Sequence, residues 1–326
     1  MQGKLLELTA NALAAHGVTR TSRVLAAVSG GPDSLALFSV LHRLHAKGTF
    51  LFLAAAHVDH ALRAASALEA RAVGRYAEEW GVPLHTVRLD TGAFAKAHKM
   101  GIEEAARTLR YRYFEDVARE HRFDFVLTAH TANDQAETLL MHIVRGAGVR
   151  GMSGIPPDRS LGSAVLLRPW LTVAKPEVLA YLRDMDLHAS HDESNEDLSF
   201  QRNRVRHVVL PAMEAAWPDR SPVHALASLA ERMRELSDYL APALQSLLER
   251  VKTEGGLSIA ELQALSGFPF HAVLEAWIET ESPGYRLSSE ETERIETWLA
   301  TKPSALELRG GLRLEKDKQI LRLHVR

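Results

Sequence analysis

Apolar and polar positions along this chain fall into two alternating kinds of segment. Short apolar runs, at 24–28 (VLAAV), 50–60 (FLFLAAAHVDH), 84–90 (LHTVRLD), 123–130 (FDFVLTAH) and 165–171 (VLLRPWL), read as strands. Helical spacing predicts helices between them, from Leu35 to Leu44 and over 65–80, 101–121, 133–145 and about 175–186. Strands alternating with helices argue for an α/β fold, a doubly wound, mostly parallel five-stranded sheet. A Gly/Pro-rich stretch at 146–163 (GAGVRGMSGIPPDRSLGS) reads as a surface loop or a substrate lid. Pro211 to Pro222 reads as a boundary, dividing the chain into 1–216 and 217–326. The second part opens with a long apolar stripe at helical spacing over 223–252, read as core packing. Shorter helices follow near 258–266, 270–280 and 288–300, then a short strand and a hairpin, so this smaller domain is mainly helical.

The most informative junction lies where the first strand meets its helix: Ser29-Gly30-Gly31-Pro32-Asp33-Ser34. Glycines let a backbone come close to a ligand. A helix start offers free N–H groups and a positive dipole end, which suit phosphate. No lysine follows the glycines, so this is not the Walker loop. Asp33 cannot attract phosphate itself, but it can hold a Mg²⁺ that does. The plain alternative is a strand–turn–helix corner with Asp33 or Ser34 as N-cap.

Composition narrows the chemistry. The 326 residues include no cysteine, which excludes disulfides, thiolate-bound zinc, cysteine-held iron–sulfur clusters and persulfide chemistry. Lys and Arg number 39 against 41 Asp and Glu, a net charge of −2, so any RNA contact must come from local patches. No apolar run approaches membrane-spanning length, and a cytoplasmic location is the expectation.

Three more motifs sit at strand ends or helix starts, where ligands of such sheets bind. They are His57-Val58-Asp59-His60-Ala61-Leu62-Arg63, Gly101-Ile102-Glu103 with Arg107 and Arg110-Tyr111 behind it, and Thr128-Ala129-His130 followed by Asn133-Asp134-Gln135-Ala136-Glu137. Asp134 and Glu137 are three apart at a helix start, so their carboxylates share a face that suits an amine; the plain alternative is a capping acid with a solvated partner. Glu103, Arg107 and Arg110 follow one another on one helix, either as a surface ion pair or as phosphate ligands. His57, Asp59 and His60 could suggest zinc, a reading set below nucleotide and base positioning. A local basic patch, 199–207 (SFQRNRVRH), interleaves Phe200 with Arg202, Arg204 and Arg206, a pattern fit for RNA.

As a set these strings resemble the tRNA(Ile)-lysidine synthetase family of the N-type ATP pyrophosphatases, also called the PP-loop superfamily. The resemblance continues through Arg168-Pro169, Glu193-Ser194-Asn195, Arg202-Asn203 and Arg206, and covers roughly 20–215. It implies an adenine-nucleotide-hydrolase-like catalytic domain over 1–216 and a tRNA-contacting domain over 217–326. It implies ATP and Mg²⁺ as cofactors, with Ser29, Gly30, Gly31, Asp33, Ser34, His57 and Asp59 at the nucleotide and Asp33 on the metal. It implies catalytic roles for Asp33, Asp134, Glu137 and Arg110. Arg63, Glu103, Arg107, His130, Arg202, Asn203 and Arg206 would bind substrate. The implied partners are tRNA(Ile) with a CAU anticodon and free L-lysine, with no membrane; the oligomeric state is open, a homodimer included. One departure is visible: the family commonly has two adjacent acids where this chain has Asn133-Asp134. Competing readings are a tRNA thiolase and an ammonia-using amide synthetase of the same superfamily, both disfavoured by the missing cysteines, and a non-catalytic nucleotide- or RNA-binding module.

Overall fold

The computed structural model describes residues 2–62, 66–190, 197–301 and 304–325, without the side chains of 66–68. Arg63 and Glu193-Ser194-Asn195 lie outside the described residues. The order is α1 (Gln2–Ala15), β1 (Arg23–Ala27), α2 (Pro32–Ala46), β2 (Phe52–Asp59), α3 (Ser66–Glu79), β3 (Leu84–Arg88), α4 (Thr91–His98) and α5 (Ile102–Glu120). Then come β4 (Phe125–Leu127), α6 (Ala132–Val144), α7 (Val149–Met152), β5 (Asp158–Leu161), β6 (Ala164–Leu167) and α8 (Lys175–Asp184).

The chain divides into two compact units. The first, Met1–Thr138 with Ile155–Ser228, is built on a sheet of order β3-β2-β1-β4-β6-β5. Neighbouring strands from β3 to β6 run parallel, and β5 pairs antiparallel with β6. Strand order reverses between β1 and β4, so the crevice for a ligand opens where these two strands end. One face of the sheet buries Leu5 and Leu13 of α1, Phe38 and Leu41 of α2, Val73 of α3, and Val178 and Tyr181 of α8. The other buries Tyr111, Phe114 and Val117 of α5. Each fully buried side chain of this kind contributes about 1.5–3 kcal/mol. Trp170, also fully buried, donates its indole N–H to Thr9 Oγ1 at 2.8 Å and ties α1 to the core.

The sheet therefore has six strands, not five. The extra strand, β5, lies in the segment expected to be a loop or lid. Its residues Asp158, Arg159 and Ser160 are polar and exposed, so no apolar alternation announces it. Gly162 makes the turn to β6 with φ +59°, and a Cβ there would sit 2.7 Å from Glu115 Oε1. α1 and α4 add to the helices that the apolar spacing predicts.

Beyond α8 the chain forms α9 (Gln201–Arg204), a π-helical turn (Val205–Val209) and α10 (Leu210–Ala216), so Pro211 lies inside a continuous helical segment. Proline has no N–H, and its ring clashes with the carbonyl four residues back in an α-helix. The wider π turn immediately before it relieves that conflict. α11 (Pro222–Val251) follows, and the compact units part at Ser228 and Leu229, within it. The composition-based division at 216/217 follows the prolines instead.

The second unit comprises Leu139–Gly154 and Leu229–Arg326. After α11 it contains β7 (Lys252–Thr253), β8 (Gly256–Ser258), α12 (Ile259–Gln263), α13 (Phe268–Glu281), α14 (Ser289–Leu299), β9 (Ala305–Glu307), β10 (Leu312–Asp317) and β11 (Ile320–Val325). The strands form one antiparallel sheet, β7-β8-β11-β10-β9, against Phe270, Leu274, Trp277 and Ile295. The terminal hairpin β10–β11 matches the sequence reading. Glu291 closes a capping box with Ser288 at the start of α14 and accepts from Arg309 Nη2 at 2.6 Å. Among the described residues, no helix is long and apolar enough to cross a membrane.

Candidate active site

A cavity of about 340 Å³ opens at the carboxyl ends of β1 and β4, with Ser29, Asp33 and Ser34 on one side and His60, Arg110, His130 and Asp134 among its other walls. The loop after β1 is held by its own hydroxyls. Ser34 Oγ donates to the Gly31 carbonyl at 3.0 Å and accepts from the Ser29 backbone N–H at 3.1 Å. Gly30 has φ +93°, a conformation side chains rarely adopt, with Val73 and Glu69 packed within 3.6 Å of where a Cβ would be. Gly31 caps α2 without a side chain, and Pro32 begins the helix, so the first free N–H groups of α2 start beside Asp33.

Asp33 is held on one side only. Its Oδ2 accepts from Lys175 Nζ at 2.6 Å, while its buried Oδ1 has no hydrogen-bond partner among the described residues. Burial pushes the Asp33 carboxyl above the usual carboxylate range, and the Lys175 ammonium offsets this only in part. A buried carboxylate oxygen without a hydrogen-bond partner is a hard donor that fits a divalent cation, so Asp33 suits Mg²⁺.

Lys175 was not foreseen. A basic residue at the first position of a helix opposes the helix dipole, and that was the available signal. The start of α8 is tied to the start of α6: Ala132 N–H donates to the Val173 carbonyl at 2.8 Å, and Lys175 N–H donates to Asn133 Oδ1 at 2.9 Å. Asn133 thus serves as a backbone tether between two helix starts. An amide performs this without adding a third carboxylate near Asp33 and Asp134.

Asp134 and Glu137 do share a face, and the structure fills it with arginine. Glu137 is completely buried. It accepts from Arg202 Nε at 2.6 Å, Arg206 Nε at 2.6 Å and Arg206 Nη2 at 3.0 Å. Asp134 accepts from Arg202 Nη2 at 2.8 Å and from Thr131 N–H at 2.8 Å. Burial alone would raise Asp134; Arg202 and His130 outweigh it and hold the carboxyl below its usual value. Despite burial, the two acids hold both arginines above theirs. Read in the sequence as an RNA-facing patch, Arg202 and Arg206 turn inward in the structure. Asn203 is buried and donates to the Asp197 carbonyl at 2.9 Å, which fixes the entry to α9.

The remaining residues divide by burial. His57 donates from Nδ1 to the Val28 carbonyl at 2.8 Å, leaving a buried Nε2 with no partner among the described residues. Asp59 accepts from Ala61 N–H at 2.8 Å and closes the turn after β2. His60 and His130 bond Thr91 and Thr128 hydroxyls, each at 3.0 Å. Burial, aided by Arg110, pushes His60 down to about 4. Burial pushes His130 to about 3, with Asp134 opposing and Arg168 and Arg110 adding to the shift. Arg110 lies over Tyr111, 5.7 Å from the ring centroid, and stays cationic although burial lowers its pKa. Glu103 and Arg107 are exposed on α5 and line no part of the cavity; Arg107 lies 5.1 Å from the Tyr111 ring centroid. Among the described residues no group of three His, Asp or Glu side chains gathers to hold a metal.

Several known proteins resemble the chain. The tRNA(Ile)-lysidine synthase of Geobacillus kaustophilus is 37% identical over 240 residues, 72% of this chain and 51% of that protein. The protein of the same name from Symbiobacterium thermophilum is 40% identical over 239 residues, 73% of this chain and 49% of that protein. The chain thus spans about half the length of the curated relatives it matches. The U34-tRNA thiolase NcsA from Methanococcus maripaludis, solved with its [4Fe-4S] cluster, shares the fold with a TM-score of 0.60 at 16% identity, over 72% of this chain and 79% of that one. A family model described as the PP-loop domain matches residues 1–213, and the chain belongs to the PP-loop family.

Proposed function

We propose that the protein is a tRNA(Ile)-lysidine synthetase. It would adenylate the C2 oxygen of the wobble cytidine in the CAU anticodon with ATP, releasing pyrophosphate. The ε-amine of lysine would then attack C2 and displace AMP. The observation that carries this reading is the single cavity that sets an orphaned Asp33 oxygen and a phosphate-type loop against Arg110, His130 and Asp134, in a chain without a thiol. Sulfur transfer through a cysteine of this chain is thereby set aside, and the likeness to named lysidine synthases over 72% and 73% of the chain supports the same reading.

Ser29, Gly30, Gly31 and Ser34 would cradle the leaving pyrophosphate with backbone N–H groups and hydroxyls. Asp33 would hold Mg²⁺, whose charge screens the phosphates when bound. His57 and Asp59 shape the nucleotide side, and Arg110 stabilises charge developing on the phosphate. Asp134 and Glu137 would receive the ammonium group of lysine, and Arg202 and Arg206 would pass from these acids to RNA phosphate. Asp134 or Glu137 would also accept the ε-proton, since a free amine of pKa about 10.4 is almost fully protonated at neutral pH. Glu103 and Arg107, exposed on α5, are assigned to RNA, and so is Arg63. The second unit is proposed as a further tRNA contact, with a cleft of about 650 Å³ where Arg145, Arg150, Arg286 and Arg309 stand beside Glu275, Glu279 and Glu290.

The test is incubation with ATP, Mg²⁺, labelled lysine and tRNA(Ile) bearing CAU, counting label in acid-insoluble RNA. ATP-dependent label that is absent with elongator methionine tRNA and with Asp33→Ala is the expected result. AMP release with some other tRNA and no lysine label would refute the lysidine reading. In Glu137→Ala, adenylated tRNA should persist while lysine transfer fails.

A further inference from the structure

Lys175 has no role in the function so far, yet it makes the shortest polar contact of the nucleotide loop. Its ammonium sits 2.6 Å from Asp33 Oδ2, beside the orphaned Oδ1. Asp33 lines the cavity, and both side chains are about a third exposed or less, at 34% and 27%, so the pair is neither sealed off nor freely solvated. The base of Lys175 is fixed through Asn133 and the Val173–Ala132 bond, while its four-carbon stem can swing. A divalent cation on Asp33 and an ammonium at the same carboxylate compete for the same negative charge. The displaced ammonium keeps a positive charge within reach of the phosphate cradle.

We propose that Lys175 is a pyrophosphate-binding residue that serves as the counter-ion of Asp33 in the empty site and moves onto the pyrophosphate end of the nucleotide when Asp33 takes Mg²⁺. The proposal rests on reading the cavity as an ATP site. It does not depend on RNA or lysine. The exchange keeps Asp33 paired in both states and prevents an uncompensated buried carboxylate before substrate arrives. Lys175 thereby sets how much Mg²⁺ the empty protein binds and how firmly the leaving group is held.

The probes are Mg²⁺ alone and inorganic pyrophosphate with Mg²⁺, applied to the full chain as wild type, Lys175→Met, Lys175→Arg and Asp33→Asn. In Lys175→Met, Mg²⁺ alone should raise the melting temperature at concentrations about tenfold lower than in wild type, because Asp33 has lost its competing cation. Its Kd for pyrophosphate, by titration calorimetry, should rise about 10- to 100-fold, the loss of one charge-assisted hydrogen bond. Lys175→Arg should recover part of the pyrophosphate affinity, and Asp33→Asn should abolish the response to Mg²⁺. A purely structural lysine would lower the melting temperature and move neither ligand response, and that result overturns the proposal. Should Lys175→Met fail to fold, the ¹³C-dimethylated Lys175 signal of the otherwise unmutated chain, assigned by its loss in Lys175→Arg, decides. It should shift on adding pyrophosphate with Mg²⁺, and a static signal refutes the exchange. If wild type binds no pyrophosphate, the ATP-site reading falls as well; if wild type and Lys175→Met bind it equally, Lys175 alone is wrongly assigned.

Discussion

Replacing Glu137 by glutamine tests the arginine clamp directly. The carboxylate is fully buried and accepts three hydrogen bonds from two guanidinium groups. Glutamine keeps the shape but presents an NH₂ group where an acceptor stood, so donor meets donor on one side. Asp134 remains for Arg202, while Arg206 keeps only a 3.7 Å approach to Asp134. Breaking a buried ion pair by removing one partner costs about 3–5 kcal/mol. The arginine side chains are 32% and 34% exposed, so water relieves part of the stranded charge. An effect of about 2–3 kcal/mol is expected, which for a unit of this size lowers the melting temperature by roughly 5–10 °C. Scanning calorimetry at neutral pH measures it. Adding Arg206→Met to Glu137→Gln removes the stranded cation and should cost less than the sum of the two single changes, by about 1 kcal/mol. A Glu137→Gln melting temperature within about 1 °C of wild type, or strict additivity in the double variant, would refute the clamp as a source of stability.

Two further outcomes concern pH. Burial would raise Glu291, but Arg309, Tyr285 and the Ser288 N–H hold it down at about 2, so its contribution is complete above pH 4.5 and is lost as pH falls toward 2. Acid titration of the fluorescence of the five tryptophans, Trp277 and Trp298 among them, should show this loss in wild type and a flatter profile in Glu291→Gln; identical profiles would refute it. His60 and His130, held down at about 4 and about 3, should show no imidazole titration by NMR between pH 5 and 8. The unfolded chain takes up these protons first, so stability should decline as pH drops below 6.5 and level off once the folded histidines titrate.

The phosphate loop was legible because everything it needs is local: an apolar strand, two glycines, a proline and an acid within eleven residues of sequence, 24–34. The shared face of Asp134 and Glu137 was legible for the same reason, since three residues of helix bring them together. What fills that face was not, because Arg202 lies 65 residues beyond Glu137 and nothing in a basic patch says whether it points to solvent or to a buried acid. Lys175 lies 142 residues from Asp33, and only its awkward place at a helix start hinted at a distant partner. β5 escaped because an exposed polar strand carries no period. α1 carries Leu5, Leu6, Thr9 and Leu13 at helical spacing, all buried, so its signal does lie in the local sequence.

β5 also governs what the first unit does at high concentration. Without it, β6 would end the sheet as Ala164-Val165-Leu166-Leu167, four apolar residues with one row of backbone N–H and C=O groups open to another chain. The polar edge offered instead, Asp158-Arg159-Ser160, is a poor template for strand addition. Shortening the Gly162 hairpin would therefore trade a blunted edge for self-association, and growth of light scattering with concentration would follow even where the fold survived.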